Sequence, residues 1–343
     1  MSNNDDIKKM LSLINDAQQP NCVALNEILR DLPALRWNAK VFGNYLASVM
    51  YQGHHLTTEN TKQNPFNLGW AATKFDDFCE SWFIDTCNQL RMAPLLHRKL
   101  WENAYLLKSV ESAGKLQKGL SAVGFGCGEE PFPSYFASKG ISVLVTDLDP
   151  ATQEAEGWIA TNQHAQNLDK VYKPDFLARQ EFDALVSHRY VDMNAIPDDM
   201  NEQFDFCWSI CAFEHLGSIE KGLRFVEQSL KVLKPGGIAI HTTEFNYASE
   251  EETIDNWPTV LFRRKDFEQL AARLKLQGYK IPAISFDVGS SPVDWFIDVP
   301  PYPHDVPPSP SRSKYYDKSM NPAHLKLMVD GFPTTCYGIV IQK

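Results

Sequence analysis

The chain has 343 residues, of which 43% are hydrophobic and 12% aromatic, enough apolar mass for a large core and too much for a disordered polymer. Its formal charge of -10 argues against a long nucleic-acid backbone as partner, because nonspecific binding to one rests on counterion release by Lys and Arg. The N-terminus "MSNNDDIKKM" has no apolar stretch behind it and no run approaches the ~18 apolar residues of a membrane span, so a soluble cytoplasmic protein is expected.

The first ninety-odd residues read as helices. In "VFGNYLASVMY" the apolar residues Phe42, Tyr45, Leu46, Val49 and Met50 recur at helical spacing, and Phe75, Phe78, Cys79, Trp82 and Phe83 repeat the pattern in "FDDFCESWFIDTC". Both read as core stripes. A third helix, "HRKLWENAYLLKSVESAG", turns Leu100, Ala104, Leu107 and Val110 inward and stops at Gly114, while Arg98 and Lys99 at its start read as solvated charges.

From Leu120 short apolar strands alternate with helices, the pattern of parallel strands joined by crossover helices. The strands are "LSAVGFG", "ISVLVTDLD", "SHRYVDMN", "FDFCWSIC" and "GGIAIHTTEF", then "YKIPAISFD" and the terminal "TTCYGIVIQK". The helix "SIEKGLRFVEQSLKVLKPGG" ends at Pro235 and two glycines, a polar insert runs from Asn246 to Pro258, and "RRKDFEQLAARLKLQGY" is a further amphipathic helix. The expected fold is α/β, a Rossmann-like doubly wound sheet of seven strands, mostly parallel with the last antiparallel, under an N-terminal helical cap. The expected division is a cap over residues 1–93 and a main domain over 94–343, with a Pro- and aromatic-rich lid at about 289–331. The seven cysteines form no C-x-x-C pair and read as buried thiols, and no dense acidic set points to a bound metal.

The stretch "VGFGCGEEP" places Gly124, Gly126 and Gly128 where the first strand turns into a helix, so that a ligand can touch bare backbone. A dinucleotide fingerprint wants its third glycine one position later, where this chain has Glu129, a carboxylate that repels diphosphate. The next strand ends at Asp147, placed to accept hydrogen bonds from both hydroxyls of a ribose. A nucleoside without phosphates fits both features.

Together with "VTDLDP", "VDMNAIP", "FDFCWSICAFEHLG" and "LKPGGIAIHTTEF", this stretch resembles the class I S-adenosylmethionine-dependent methyltransferases over roughly Leu120 to Val340. The resemblance implies that the loop Gly124, Phe125, Gly126, Cys127 and Gly128 passes under the methionine part of S-adenosylmethionine and that Asp147 holds the ribose. It further implies that Leu148 lines the adenine, that Asp192 with Met193 meets its amine, and that Cys211 and Ala212 face the sulfonium. The stretches "CAFEHLGS", "HTTEFN" and "HLKL" look like those of bacterial methyltransferases associated with polysaccharide assembly.

Ligands of such sheets sit beyond the carboxyl ends of the strands, where this chain has Glu214 and His215, then His241, Thr242, Thr243 and Glu244. Methyl transfer to a hydroxyl needs alignment and a base; His215 is the first candidate and His241 the second, with Glu214 and Glu244 orienting them or binding substrate hydroxyls. The segment "VDWFIDVPPYPHDVPPSPSRSKYY" offers Trp295, Phe296, Tyr302, Tyr315 and Tyr316 beside Asp294, Asp298 and His304, a composition suited to sugars. The expected activity is O-methylation of a small molecule or glycan. Lipid-directed transfer is an alternative, since "AFEHLG" also looks like cyclopropane synthases, and a cofactor-binding protein without catalysis is another. Oligomeric state is not legible in the sequence.

Overall fold

The computed structural model describes residue 19 and residues 32–57, 66–152, 164–165, 167–299 and 323–343. In chain order these form α1 (Leu32–Thr57), β1 (Gly69–Ala72), α2 (Phe75–Cys79), α3 (Ser81–Gln89), α4 (Arg98–Ser112) and β2 (Ser121–Phe125). There follow α5 (Phe132–Ser138), β3 (Ser142–Asp147), α6 (Leu168–Val171), α7 (Arg179–Leu185), β4 (Val186–Tyr190), β5 (Phe204–Ile210), α8 (Ile219–Ser229) and β6 (Leu233–Asn246). The rest are α9 (Arg264–Leu276), β7 (Ala283–Ile284), α10 (Pro292–Trp295), β8 (Ile297–Asp298), β9 (Lys326–Val329) and β10 (Phe332–Gln342).

The main path of the sheet runs β4-β3-β2-β5-β6-β10-β1-β7. The five strands from β4 to β6 are parallel, and β10 returns antiparallel to β6 over the register from Thr334 opposite Asn246 to Gln342 opposite Ile238. This is the expected Rossmann-like α/β architecture, with strands beyond the seven expected. One addition is β1, which comes from the stretch read as wholly helical. It pairs antiparallel with β10 and parallel with β7, and so wedges the N-terminal region into the sheet. "GWAA" is too short to show a period, and only the open edge of β10 makes it a strand.

Two apolar layers cover the sheet, as period-2 alternation in β6 requires. Ile238 and Ile240 face the layer of α4 and α5, while Ala239 and Phe245 face that of α8 and α9. Each fully buried Leu, Ile or Phe contributes roughly 1.5–3 kcal/mol. The expected inward face of α4 is buried, and Phe75, Phe78, Trp82 and Phe83 enter the same core from α2 and α3, which break apart at the extended Glu80.

The stripe expected for α1 is corrected in part: Leu46 and Met50 pack against the core, but Phe42, Tyr45 and Val49 are exposed, and the helix also buries Lys40, Gly43 and Ala47. Lys40 Nζ lies 2.7 Å from Asp298 Oδ1, and the Phe296 ring lies where a side chain on Gly43 would be. Tertiary partners turned the buried side of this helix away from Phe42, Tyr45 and Val49 and toward Lys40 and Gly43. Helix α8 also stops at Ser229, before Pro235, because the carbonyls of Lys231 and Val232 accept from Glu202, Gln203 and Phe204 at the start of β5. None of the described helices is long and apolar enough to cross a membrane.

Candidate active site

The glycine run begins at the end of β2 and continues past it, and two of its glycines have different causes. A Cβ on Gly124 would stand 2.4 Å from both Cys127 Sγ and the Trp208 ring, so that glycine makes room for packing. Gly126 has φ of 62°, a conformation that side chains resist, and a Cβ there would meet Ala212 Cβ at 3.1 Å and Met193 Sδ at 3.5 Å. The loop is thus bracketed by Ala212 after β5 and Met193 after β4.

Asp147, at the end of β3, ties this loop down. Its Oδ2 accepts from Gly128 N at 3.2 Å and Ala165 N at 2.9 Å, and its Oδ1 from Leu148 N at 2.9 Å. A carboxylate has about four lone-pair directions, so three backbone donors leave it capacity for a hydroxyl. Leu148 is half-buried beside it, whereas Asp192 is exposed and accepts from Asn194 N at 2.8 Å in a turn. Phe125 and Cys127 are corrected in one respect: their side chains are core, Phe125 against the Phe225 ring at 5.4 Å, so only their backbone can face a ligand. The loop also holds a carboxylate that the sequence reading passed over. Glu130 accepts from Trp208 Nε1 at 2.8 Å, and burial, with Asp147 and Glu102 adding to it, holds its carboxyl well above the usual range.

Left-handed Cys211 (φ 48°) ends β5 and breaks its alternation. Parity would place its thiol with Ser209 on the α8 face, yet Sγ contacts Lys99 Nζ of α4 and lies 3.4 Å from Glu244 Oε1. The next residues form a 3-10 turn, Phe213–His215, that brings Glu214 over the ends of both strands. Glu214 Oε2 accepts from Thr243 Oγ1 at 2.9 Å, and desolvation raises its pKa. His215 Nδ1 lies 3.1 Å from Pro258 O and Nε2 lies 3.9 Å from Glu214 Oε1, so the polar insert after β6 orients the ring.

Glu244 of β6 is reached from α4, whose start the sequence reading left in solvent. That reading is corrected: Arg98 is buried, with Nη1 2.5 Å from Glu244 Oε1 and 3.0 Å from Cys336 Sγ, and Lys99 Nζ lies 3.4 Å from Glu244 Oε1 and 3.1 Å from Glu102 Oε1. Desolvation raises the Glu244 pKa, but Arg98 and Lys99 outweigh it and bring the value down to about 2. The missed signal was spacing: Arg98, Glu102 and Tyr105 share a helix face, and two charges on a face that continues into an aromatic residue need buried partners.

His241 is a further correction. It is fully buried on the α8 face, its Nδ1 2.8 Å from Ser209 Oγ and its Nε2 2.9 Å from Ser229 Oγ, and burial lowers its pKa to about 3. With both ring nitrogens engaged, it lies apart from Glu214, His215 and Glu244. The acids of the expected lid are likewise structural: Asp294 accepts from Phe75 N at 2.8 Å, and Asp298 joins Lys40 to His324 Nδ1 at 2.7 Å. Trp295 is exposed and Phe296 packs on α1, while Tyr302, His304, Tyr315 and Tyr316 lie outside the described residues.

A parallel sheet with a left-handed glycine loop at its first crossover, an acid closing the neighbouring strand and reactive side chains beyond the next two strands defines a nucleoside-cofactor enzyme of Rossmann-like type. A family model for a methyltransferase domain matches residues 98–280, just over half of the chain, and the chain belongs to that family. Its cofactor is S-adenosylmethionine. No curated protein matches the sequence. Among solved structures the chain is similar to Haemonchus contortus phosphoethanolamine N-methyltransferase 2 in complex with phosphomonomethylethanolamine and S-adenosylhomocysteine. The two share 16% identity over 76% of this chain and 56% of that one, with a TM-score of 0.42. It is also similar to S-adenosylmethionine-dependent methyltransferases from Mesorhizobium loti (14% identity, 69% of this chain and 96% of that one, TM-score 0.37) and Aquifex aeolicus (13%, 69% and 88%, TM-score 0.36).

Proposed function

We propose that the protein transfers the methyl group of S-adenosylmethionine to a hydroxyl oxygen of a small molecule or glycan. Gly126 and Gly128 would pass under the methionine part of the cofactor and Asp147 would hold its ribose, with Leu148, Met193 and Ala212 lining the pocket and Asp192 at its rim. When bound, the cofactor supplies a methyl carbon already activated by sulfonium. What remains for the chain is to align the acceptor and receive its proton.

The observation that carries the reading is the set Cys211, Glu214, His215 and Glu244, which stands beside Ala212 and the Gly126 loop at the carboxyl ends of β5 and β6. His215 is the base in this reading. Nδ1 lies 3.1 Å from both Pro258 O and Thr259 Oγ1; the reading takes the tautomer whose Nδ1–H donates to Pro258 O, which leaves the lone pair on Nε2, on the Glu214 side. A lipid acceptor suits the cluster poorly, because its walls are charged. The free thiols among the described cysteines accord with a cytoplasmic setting. The polysaccharide setting suggested by the sequence agrees with a hydroxylated acceptor.

His215→Ala should lower turnover about 100-fold while calorimetry shows S-adenosylmethionine affinity unchanged. Turnover within a factor of two of wild type would remove His215 from the base role, and binding without turnover on any acceptor would favour a non-catalytic protein.

A further inference from the structure

The cluster at the ends of β5 and β6 holds more hydrogen-bonding capacity than the protein uses. Among the described residues, Glu214 Oε1, Glu244 Oε2 and Arg98 Nε are buried with no hydrogen-bond partner in the protein. These residues are 0%, 6% and 7% exposed, and a hydrogen bond left unmade at such depth is costly because the group has given up water without a substitute. The rim of the cluster is open, since Cys211 and His215 are half-buried and the Lys99 side chain is 38% exposed.

Charge and geometry narrow what can sit there. Cys211 Sγ and one oxygen each of Glu214 and Glu244 lie within 4.8 Å of one another, a spacing that would suit a metal ion. Lys99 and Arg98, however, already contact Glu244, and Lys99 also contacts Cys211, so a divalent ion would enter against two cations. An alkylammonium meets the same repulsion and offers only donors, leaving Arg98 Nε unanswered. A neutral hydroxyl both donates and accepts. Glu244, held ionised by Arg98 and Lys99, is a fixed acceptor, and desolvated Glu214 is better satisfied by a neutral donor than left charged and bare.

We propose that the acceptor is a pair of adjacent hydroxyls, one donating to Glu214 Oε1 and the other to Glu244 Oε2, so that two-point binding selects the substrate. This rests on the hydroxyl-methylation reading above and gives Glu214 and Glu244 the role of specificity residues. The hydroxyl on Glu214 Oε1 is the one within reach of His215 Nε2, 3.9 Å from that oxygen. On binding, its proton points to Glu214 Oε1; for transfer the hydroxyl turns that proton onto His215 Nε2. Its oxygen forms the new bond to the methyl carbon as the carbon–sulfur bond breaks, the bonding pair stays on sulfur, and the proton passes to His215.

The test uses the full-length protein and follows S-adenosylhomocysteine release on a panel of methyl glycopyranosides and catechol, each beside a partner lacking one hydroxyl of the pair, with phenol as the partner of catechol. The best acceptor with a hydroxyl pair should exceed its partner at least tenfold in kcat/KM. Glu214→Gln and Glu244→Gln should erase that ratio mainly through KM, with S-adenosylmethionine affinity by calorimetry unchanged. Should Glu244→Gln fail to fold because Arg98 loses its partner, Glu214→Gln alone decides. Equal kcat/KM for paired and single hydroxyls overturns two-point binding and leaves hydroxyl methylation standing. Transfer only to amines or thiols, or to none of the panel while the cofactor binds, overturns both. Activity abolished by EDTA and restored by Mg2+ or Mn2+ would make the cluster a metal site and overturn the proposal.

Discussion

Asp147 carries two burdens at one carboxylate: it collects backbone donors from Gly128, Leu148 and Ala165, and it is the proposed partner of the cofactor ribose. Asp147→Ala should therefore weaken S-adenosylmethionine by about 1.5–3 kcal/mol in titration calorimetry and also lower the unfolding midpoint. A loss of stability with unchanged affinity would show that it only anchors the loop. His241 presents the opposite case, an imidazole buried in the core between Ser209 and Ser229. Its pKa is depressed from 6.5 to about 3, so the unfolded chain binds the extra proton and acid favours unfolding. The stability that neutral His241 gives is fully present above pH 6.5 and is lost as pH falls toward 3. Urea unfolding should show the advantage of wild type over His241→Phe largest at pH 7 and shrinking at pH 5 and 4, a comparison that cancels other titrating groups.

Helix α4 spans two structural demands. Its C-terminal half is an ordinary apolar face against the sheet, legible from Leu100, Ala104, Leu107 and Val110, but its first turn drives Arg98 and Lys99 into the strand ends. Arg98→Leu strands the Glu244 charge in a buried site and should cost about 3–5 kcal/mol in denaturant unfolding, far more than a surface arginine. The loop between β2 and α5 gives a complementary prediction. Gly126→Ala forces a Cβ into a left-handed turn against Ala212 and should lower cofactor affinity tenfold or more by calorimetry, with a stability loss of about 1 kcal/mol or more. The glycine spacing announced this turn in the sequence. Which glycine serves packing and which serves the ligand was not legible, because Trp208, which with Cys127 fills the space beside Gly124, stands on β5, with β3 and β4 between them in the chain.

At the scale of the molecule, the N-terminal region is a participant in the sheet. Strand β1 fills the place between β10 and β7, Trp70 Nε1 donates to Val340 O at 2.7 Å, and Tyr105 of α4 donates to Gly69 O at 2.5 Å. A chain lacking residues 1–74 leaves the β10 edge open and should lose its single cooperative transition in thermal unfolding, where a detachable cap would leave it intact. The order of strands, the crossover helices, the glycine turn and the acid at the end of β3 were all set by local pattern: apolar period, turn chemistry and short-range spacing. Those determine an α/β nucleoside-binding sheet whatever lies around it. Only the tertiary structure decided that His241 is core while His215 stands at the rim, that β1 is a strand, and that Arg98 and Lys99 meet Glu244. Each of these depends on which side of a strand a residue faces and on partners up to 270 residues away in sequence, such as Val340 for Trp70. Burial and charge pairing across such distances are properties of the packed chain, and no local window contains them.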